Sequence, residues 1–401
     1  MRPARYALCA LSLLGCVRPP DAPPADATST PSSTDPTPTS TTPTPTSPPT
    51  TSEPAVDCDA LAVREDDRDT WYESNPTYVD PADRSGPYPT LSPEDAGLDE
   101  VLLQRATDAL DGVAFVESLL VFHGGALGWE AYLHGAGPQD SHNVHSASKS
   151  ILAAAAGIAL ARGQLDLDAT VASYLPDAFA EQEEPEKAEI TVRQLMTMTS
   201  GLQWAEDRAE YRIDDQPDWV RAIVGRPMAA LPGAAFNYST ANTHLLSAVL
   251  QAATGTSTCA FVHEVLFAPL DIAAEHWGRD PQRVSSGGYN VYLTPRELAR
   301  FGLLVAARGQ WDGEALLDPA WVDEMFAPVG RDGAYRYGHL WWLRQISGYD
   351  VQIAWGYGGQ LVYLVDALDL VVVVTTNTGD YDPGDFDIEW VLERDLIPAV
   401  L

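Results

Sequence analysis

Hydrophobic and polar positions along the chain follow two different periods, and their order predicts the architecture. Short runs rich in β-branched and aromatic residues predict strands at residues 118–123, 127–134, 351–355, 361–365 and 370–376. Apolar residues at helical spacing predict helices at residues 98–110, 146–162, 191–198, 219–224, 241–255, 294–308 and 385–396. Because strands lie at both ends and helices lie between them, we predict one antiparallel sheet built from both termini, with an inserted, mostly helical region at about 150–290. The fold class is therefore α/β, of the α+β type.

The first residues have the pattern of a targeting segment. Arg2 and Arg5 precede an apolar run at residues 6–15, which is too short to span a bilayer as a permanent helix. The run ends in Leu-Leu-Gly before Cys16, and this sequence resembles the lipobox of bacterial lipoproteins, in which the cysteine is lipidated. We therefore expect residues 1–15 to be a signal peptide and Cys16 to carry lipid. The alternative is an ordinary secretory signal with an incidental cysteine.

Residues 16–57 are rich in Pro, Thr and Ser and cannot bury a core, so they predict an extended linker. The folded domain is expected at residues 58–401. Since no later stretch is long and apolar enough to cross a membrane, the membrane is expected to be reached through the lipid anchor only. We therefore expect an exported bacterial lipoprotein that faces the periplasm or the cell surface.

Charge excludes one large class of partner. The chain has 57 acidic and 24 basic residues, a formal net charge of -33, and such a surface repels a phosphate backbone, so nucleic acid is not expected to bind. Lys149 and Lys187 are the only lysines among the bases. Lys187 lies in an acidic run that predicts a solvated surface. Lys149 lies in an apolar helix, where a lysine can lose its proton and act as a base.

Cysteine and histidine positions give little sign of a metal site. Cys58 and Cys259 can form a disulfide in an exported protein, and two unpaired thiols are the alternative. Neither the cysteines nor the eight histidines have the spacing of metal ligands, so we expect no metal and no other cofactor.

Ser146 and Lys149 have the spacing of a nucleophile and its base. On a helix, residues three apart lie on one face at about 5–6 Å, so the amine can reach the hydroxyl. Apolar surroundings lower the pKa of the lysine, and its neutral form can accept the serine proton. The alternative is an N-cap serine beside a surface lysine. A Gly-x-Ser-x-Gly elbow, which a Ser–His–Asp hydrolase would favour, does not occur in the chain.

Tyr238 lies in a loop just before a predicted helix. From such a loop the phenol can point into a cleft, and partly ionised beside Lys149 it can carry a proton to a leaving group. The alternative is a capping loop, with Ser239 or Thr240 as the N-cap and Tyr238 as a packing residue.

Taken together, these motifs resemble the serine β-lactamase and penicillin-binding-protein superfamily, and most of all the class C β-lactamase-related hydrolases. The supporting segments lie at residues 142–150, 195–202, 236–242, 293–299, 337–342 and 356–360. The resemblance implies a β-lactamase-like antiparallel sheet flanked by helices. It also implies that Ser146 is acylated, that Lys149 is its base and that Tyr238 is a second proton carrier. The oxyanion hole would combine the backbone N–H of Ser146 with one near Gly356 and Tyr357.

Two departures from the family pattern affect the substrate. The tyrosine motif usually ends in Asn two residues on, where this chain has Thr240, and Asn242 is a candidate substitute. The third motif usually begins with Lys or His, and here it is Ala354-Trp355-Gly356. In β-lactamases and carboxypeptidases that cation helps to hold the substrate carboxylate, so its loss favours substrates without one.

The resulting hypothesis is an exported serine hydrolase that cleaves an ester or amide bond of a small or peptide-like substrate through an acyl-enzyme. The alternatives are a D-Ala-D-Ala carboxypeptidase or β-lactamase, and a non-catalytic penicillin-binding-like module. Trp204, Trp341 and Trp342 are expected to pack rather than to line the cleft.

Overall fold

The computed structural model describes Cys58 and residues 88–206, 208, 212–274, 276–379 and 388–401. The predicted signal peptide, Cys16 and the linker at 16–57 lie outside the described residues. The described residues belong to one compact unit. Within them, no single helix is long and apolar enough to cross a membrane; Thr240–Thr254 and Thr258–Phe267, bent by 74°, reach that length and composition only as a pair.

Strands lie near both ends of the domain, and most helices lie between them. The helices are α1 (Glu100–Asp111), α2 (Ser148–Ala161), α3 (Val171–Tyr174), α4 (Pro176–Phe179), α5 (Val192–Met196), α6 (Trp219–Val224), α7 (Thr240–Thr254), α8 (Thr258–Val262), α9 (Pro295–Ala306), α10 (Pro319–Phe326) and α11 (Ile388–Val391). The strands are β1 (Val116–His123), β2 (Ala126–Tyr132), β3 (His142–Asn143), β4 (His276–Trp277), β5 (Val291–Leu293), β6 (Gln310–Trp311), β7 (Glu314–Ala315), β8 (Gly330–Asp332), β9 (Tyr335–Tyr337), β10 (Trp342–Ile346), β11 (Tyr349–Gly356), β12 (Gln360–Val365) and β13 (Leu370–Thr376).

Side-chain caps decide where the predicted helices begin. The Asp99 carboxylate accepts the first free N–H groups of α1, and Thr294 forms a capping box with Glu297 at the start of α9. The predicted helices at 98–110 and 294–308 therefore exist as α1 and α9, and each begins one residue after its cap, at Glu100 and Pro295. The predicted helix at 146–162 starts later than expected, because Ser146 lies in a 3₁₀ turn and α2 begins at Ser148.

One antiparallel sheet of eight strands forms the centre of the domain, in the order β2-β1-β13-β12-β11-β10-β9-β8. The N-terminal strand β1 pairs with the C-terminal strand β13, with one irregularity between Val116 and Ser118, so strands from the two ends of the domain are neighbours inside the sheet. The predicted sheet is therefore confirmed. Strands β8, β9 and β10 add an edge that the hydrophobic pattern did not predict.

Both faces of the sheet are covered. Along β13, Val371 and Val373 face the core that contains α2, α7 and α9, whereas Val372 and Val374 face the core that contains α1 and the C-terminal helix. A strand that is buried on both faces has no polar side, which explains the unbroken run of apolar residues in its sequence. The face with α2 and α7 carries the candidate site.

A disulfide joins Cys58 to Cys259 in α8, which links the start of the domain to its helical region across 201 residues. Since such a link restricts the unfolded chain, we expect the Cys58→Ser/Cys259→Ser double variant to lose about 3 kcal/mol of unfolding free energy, measured by urea denaturation. Wild type should show a similar loss in reducing buffer, to which the double variant should be insensitive. Equal stability of both proteins in oxidising buffer would contradict the prediction.

Candidate active site

Ser146 lies in a tight turn that presents it to solvent. Its neighbours at 141–145 and 147–150 are buried, whereas Ser146 is only half-buried. The preceding residue, His145, has φ +44°, a left-handed conformation that is unusual for a residue with a side chain. The His145 backbone N–H donates to the Asn143 side chain at 3.0 Å, which supports this turn. The fold therefore places Ser146 in a partly exposed turn, immediately before α2.

Lys149 connects Ser146 to two other elements. Its Nζ lies 2.8 Å from Ser146 Oγ, 3.0 Å from Thr240 Oγ1 and 3.0 Å from the carbonyl oxygen of Gly288. The side chain is 1% exposed. Burial lowers its pKa to about 8, and the carboxylate of Glu206 opposes this shift.

The three contacts can serve either protonation state of Lys149, since an ammonium has one N–H group for each partner. A neutral lysine has two N–H groups and one lone pair. With the two N–H groups directed to Thr240 and the Gly288 carbonyl, the lone pair is directed at the hydroxyl of Ser146. This arrangement can accept a proton from the serine.

Tyr238 reaches the same serine from the other side. Its hydroxyl is hydrogen-bonded to Ser146, and its ring centroid lies 5.2 Å from Lys149 Nζ. Burial raises the pKa of the phenol, Glu206 raises it further, and the hydrogen bond to Ser146 acts in the opposite direction. The expectation of a partly ionised phenol is therefore wrong for the resting site, because a buried phenolate beside a carboxylate is unfavourable. Tyr238 is placed as a neutral phenol that can donate a proton.

The loop that carries Tyr238 also caps a helix. Ser239 is the N-cap of α7, and its hydroxyl accepts the N–H of Asn242 at 3.3 Å. The capping interpretation is thus correct for Ser239, and it does not exclude the position of Tyr238 beside Ser146. Thr240, the first residue of α7, then faces Lys149.

Thr240, and not the candidate substitute Asn242, contacts Lys149. The Asn242 side chain accepts a hydrogen bond from Ser200 at 2.8 Å and lies 3.8 Å from the sulfur of Met198. It is buried in these contacts and joins the 198–200 segment to α7. Asn242 therefore supports the helix that carries Thr240.

Removing the Thr240 hydroxyl should slow turnover. Thr240→Val keeps the shape but deletes one acceptor of the lysine, so we expect kcat to fall about tenfold. Thr240→Ser should keep near-normal kcat. Steady-state hydrolysis of a p-nitrophenyl ester measures both, and equal kcat for the valine and serine variants would contradict this role.

Two contributors to the site were not predicted. Gly288 supplies a carbonyl to Lys149, and a Cβ there would lie 2.8 Å from the amine. Glu206 accepts hydrogen bonds from the backbone N–H of Thr240 and from Trp204, the latter at 2.7 Å. The Gly287-Gly288 pair is a sequence signal for close approach, whereas an exposed glutamate gives none.

The end of β11 passes directly beside the turn of Ser146. A Cβ at Gly356 would lie 2.2 Å from the carbonyl oxygen of Val144, so only glycine permits this approach. β11 pairs with β12 as far as Gly356, whereas its pairing with β10 ends at Ile353. The ring of Tyr357 lies 5.7 Å from that of His145. This geometry brings Gly356 and Tyr357 next to Ser146, while an oxyanion role for their N–H groups stays a prediction.

No cation precedes Gly356 in this strand. Ala354 is fully buried in the core that contains α2. His145 also carries no charge at neutral pH, because burial and the nearby Lys149 lower its pKa to about 3.

Within the described residues, one group has the donor atoms for a metal. The sulfurs of Cys58 and Cys259 lie within 4.8 Å of a ring nitrogen of His263. Because the two sulfurs are bonded to each other, they are not available there as thiolate ligands.

Comparisons with known proteins find similar chains among the hydrolases. A family model described as Beta-lactamase matches residues 103–395. The 6-aminohexanoate-dimer hydrolase of Paenarthrobacter ureafaciens is 25% identical over 304 residues, which cover 66% of this chain and 74% of that protein. Esterase EstB of Burkholderia gladioli is 30% identical over 139 residues, 31% of this chain and 35% of that protein. The solved structure of a D-stereospecific amidohydrolase from Streptomyces sp. superposes with a TM-score of 0.60 at 22% identity, covering 75% of this chain and 99% of that one.

Proposed function

Because this chain belongs to the beta-lactamase family and is a serine hydrolase, we propose that it cleaves an ester or amide bond through an acyl-enzyme on Ser146. One observation carries the proposal. Lys149 Nζ lies 2.8 Å from Ser146 Oγ and has two other partners that fix its position, so the neutral form of the amine is placed to accept the proton of the hydroxyl.

In the proposed reaction, each group of the site has one role. Ser146 Oγ attacks the carbonyl carbon while its proton passes to Lys149. The backbone N–H groups of Ser146 and Tyr357 stabilise the negative oxygen of the tetrahedral intermediate. A proton from Tyr238 then goes to the leaving oxygen or nitrogen, and Lys149 returns one to the phenolate. Water hydrolyses the acyl-serine by the same steps in reverse order.

The substrate is proposed to be a small or peptide-like ester or amide that lacks an essential carboxylate. Ala354 provides no charge where the family's cation would hold that group, so β-lactam hydrolysis and D-Ala-D-Ala cleavage are disfavoured. The relatives include enzymes named for an aminohexanoate dimer, an ester and a D-stereospecific amide, and both bond types agree with one acyl-enzyme route.

Export as a lipoprotein is part of the proposal. It rests on Arg2, Arg5, the short apolar run and Cys16. In a bacterial host, an alkyne-labelled fatty acid should be incorporated into wild type and not into Cys16→Ser. Equal incorporation into both would contradict lipidation of Cys16.

A fluorophosphonate probe tests the acyl-enzyme directly. It should add once to the protein, and peptide mapping should place the adduct on Ser146. Ser148→Ala is a matched control, since Ser148 lies two residues away with its hydroxyl buried, and it should be labelled like wild type. An adduct elsewhere, or labelling of Ser146→Ala at the wild-type rate, would overturn the proposal.

A further inference from the structure

Two exposed aromatic side chains lie on either side of Gly356. Trp355 is 37% exposed and Tyr357 is 42% exposed, although the rest of β11 near them is buried. Large apolar side chains in the described part of the domain are mostly buried, so a neighbouring exposed pair beside a candidate nucleophile indicates a binding surface.

Ring contacts connect this pair to the candidate site. Tyr357 packs edge-on against His145, which precedes Ser146. On the other side, Trp355 lies 6.1 Å from Trp342, and Trp342 stacks on Tyr238 at 5.2 Å. The exposed rings therefore continue a layer of aromatic side chains that begins at the catalytic candidates.

Arg344, a cation beside the exposed pair, is already neutralised by its partners. Arg344 lies 4.9 Å from the ring of Tyr335, which itself packs against Trp355. The guanidinium forms an ion pair with Glu389 and donates to the Tyr335 hydroxyl. A substrate carboxylate would therefore meet a cation that is already neutralised, whereas an uncharged ring would meet aromatic faces.

From these contacts we infer that Trp355 and Tyr357 form an aromatic platform that binds a flat, uncharged ring on the acyl or the alcohol side of the substrate. The inference rests on the proposed function and specifies its substrate class. Offset or edge-on ring contacts favour an aromatic group over a saturated ring of equal size by a factor of about five. Trp355, which stands in the family's third motif, becomes a specificity-determining residue.

Two matched ester pairs test the platform by pH-stat titration. Benzyl acetate against cyclohexylmethyl acetate varies the alcohol side, and ethyl phenylacetate against ethyl cyclohexylacetate varies the acyl side. In at least one pair, wild type should prefer the aromatic ester about fivefold in kcat/KM. Trp355→Leu should reduce that ratio to about one, mainly through KM. Trp390→Leu removes another exposed tryptophan, which packs on Arg394, and it should keep the wild-type ratio.

Failure of the platform and failure of the proposed function have different signatures. Equal rates within both pairs for wild type, or an unchanged preference in Trp355→Leu, would overturn the platform while hydrolysis continued. Hydrolysis that survives in Ser146→Ala would overturn the proposed function instead. A binding measurement is also available. If the acyl-side pair shows the preference, phenylacetamide should slow fluorophosphonate labelling of Ser146 at about fivefold lower concentration than cyclohexylacetamide, and equal protection in that case would contradict the platform.

Discussion

Replacing Lys149 by methionine should lower kcat/KM for ester hydrolysis by about a thousandfold. Methionine fills the buried space without an amine, so the fold should remain while Ser146 loses its base. Burial disfavours the charged amine, whereas its three hydrogen bonds stabilise it, so the two contributions should largely offset each other and thermal stability should change little. Stopped assays with a p-nitrophenyl ester measure the rate, and circular dichroism checks the fold.

Lys187 offers a matched control, since it is the other lysine of the chain. It was expected on a solvated surface, but it is buried, with its amine 3.0 Å from both Glu184 and Gln182. Those partners satisfy the charge and allow the aliphatic stem to pack. Lys187→Met should therefore lose stability and keep kcat/KM within about twofold of wild type. Equal losses of activity in the two methionine variants would contradict a specific role for Lys149.

The pH dependence of wild type follows from the same group. The pKa of Lys149 is lowered to about 8, and only the neutral amine can accept the serine proton. Activity should therefore be low well below pH 8 and should rise with pH through about 8, whereas Lys149→Met should lack this step. Glu206 raises the pKa of Lys149, so Glu206→Gln should move the rise to lower pH. A rise that stays in place in both variants would assign it to another group.

The sequence was most informative where a local pattern decides the structure. The sheet core follows from continuous apolar runs such as β13, and helices such as α1 and α9 follow from apolar residues at helical spacing. Lys149 was identifiable because a lysine in an apolar helix contrasts with a composition that uses arginine almost throughout. In each case the signal lies within a few residues of the feature that it predicts.

Contacts between distant segments could not be derived in the same way. Gly288 lies 139 residues after Lys149, and Thr240 lies 91 residues after it. Their roles depend on how the inserted helical region folds back onto α2, which no local period encodes. Strands β8 and β9 have three residues each, too few to show an alternation.

The sequence also could not distinguish the surroundings of two adjacent tryptophans, Trp341 and Trp342. Trp341 is fully buried and packs against Phe301 and Phe326, as expected. Trp342 instead stacks on Tyr238 and joins the aromatic layer beside the candidate site. Only the position of β10 in the sheet decides which of the two rings faces the site.

Ser146→Ala should have the largest effect, a loss of about ten thousandfold or more in kcat. The change removes only one oxygen, so the turn at His145 and the contacts of Lys149 to Thr240 and Gly288 should persist. The residual rate of Ser146→Ala then measures how far the neighbouring N–H groups and Lys149 accelerate direct attack by water on the substrate. Steady-state assays with purified protein at pH 9, where Lys149 is mostly neutral, give the cleanest comparison.

The same variant separates an enzyme from a binding module on this fold. A module would hold its ligand without needing the hydroxyl, and Ser146→Ala would leave its function intact. An enzyme should keep ground-state binding and lose the chemical step, so phenylacetamide should bind Ser146→Ala with near wild-type affinity by calorimetry while turnover disappears. Because the Ser146 hydroxyl lies between Lys149 and Tyr238, the two candidate proton carriers, the geometry favours loss of turnover. Ester hydrolysis in Ser146→Ala within tenfold of wild type would remove the serine from the mechanism.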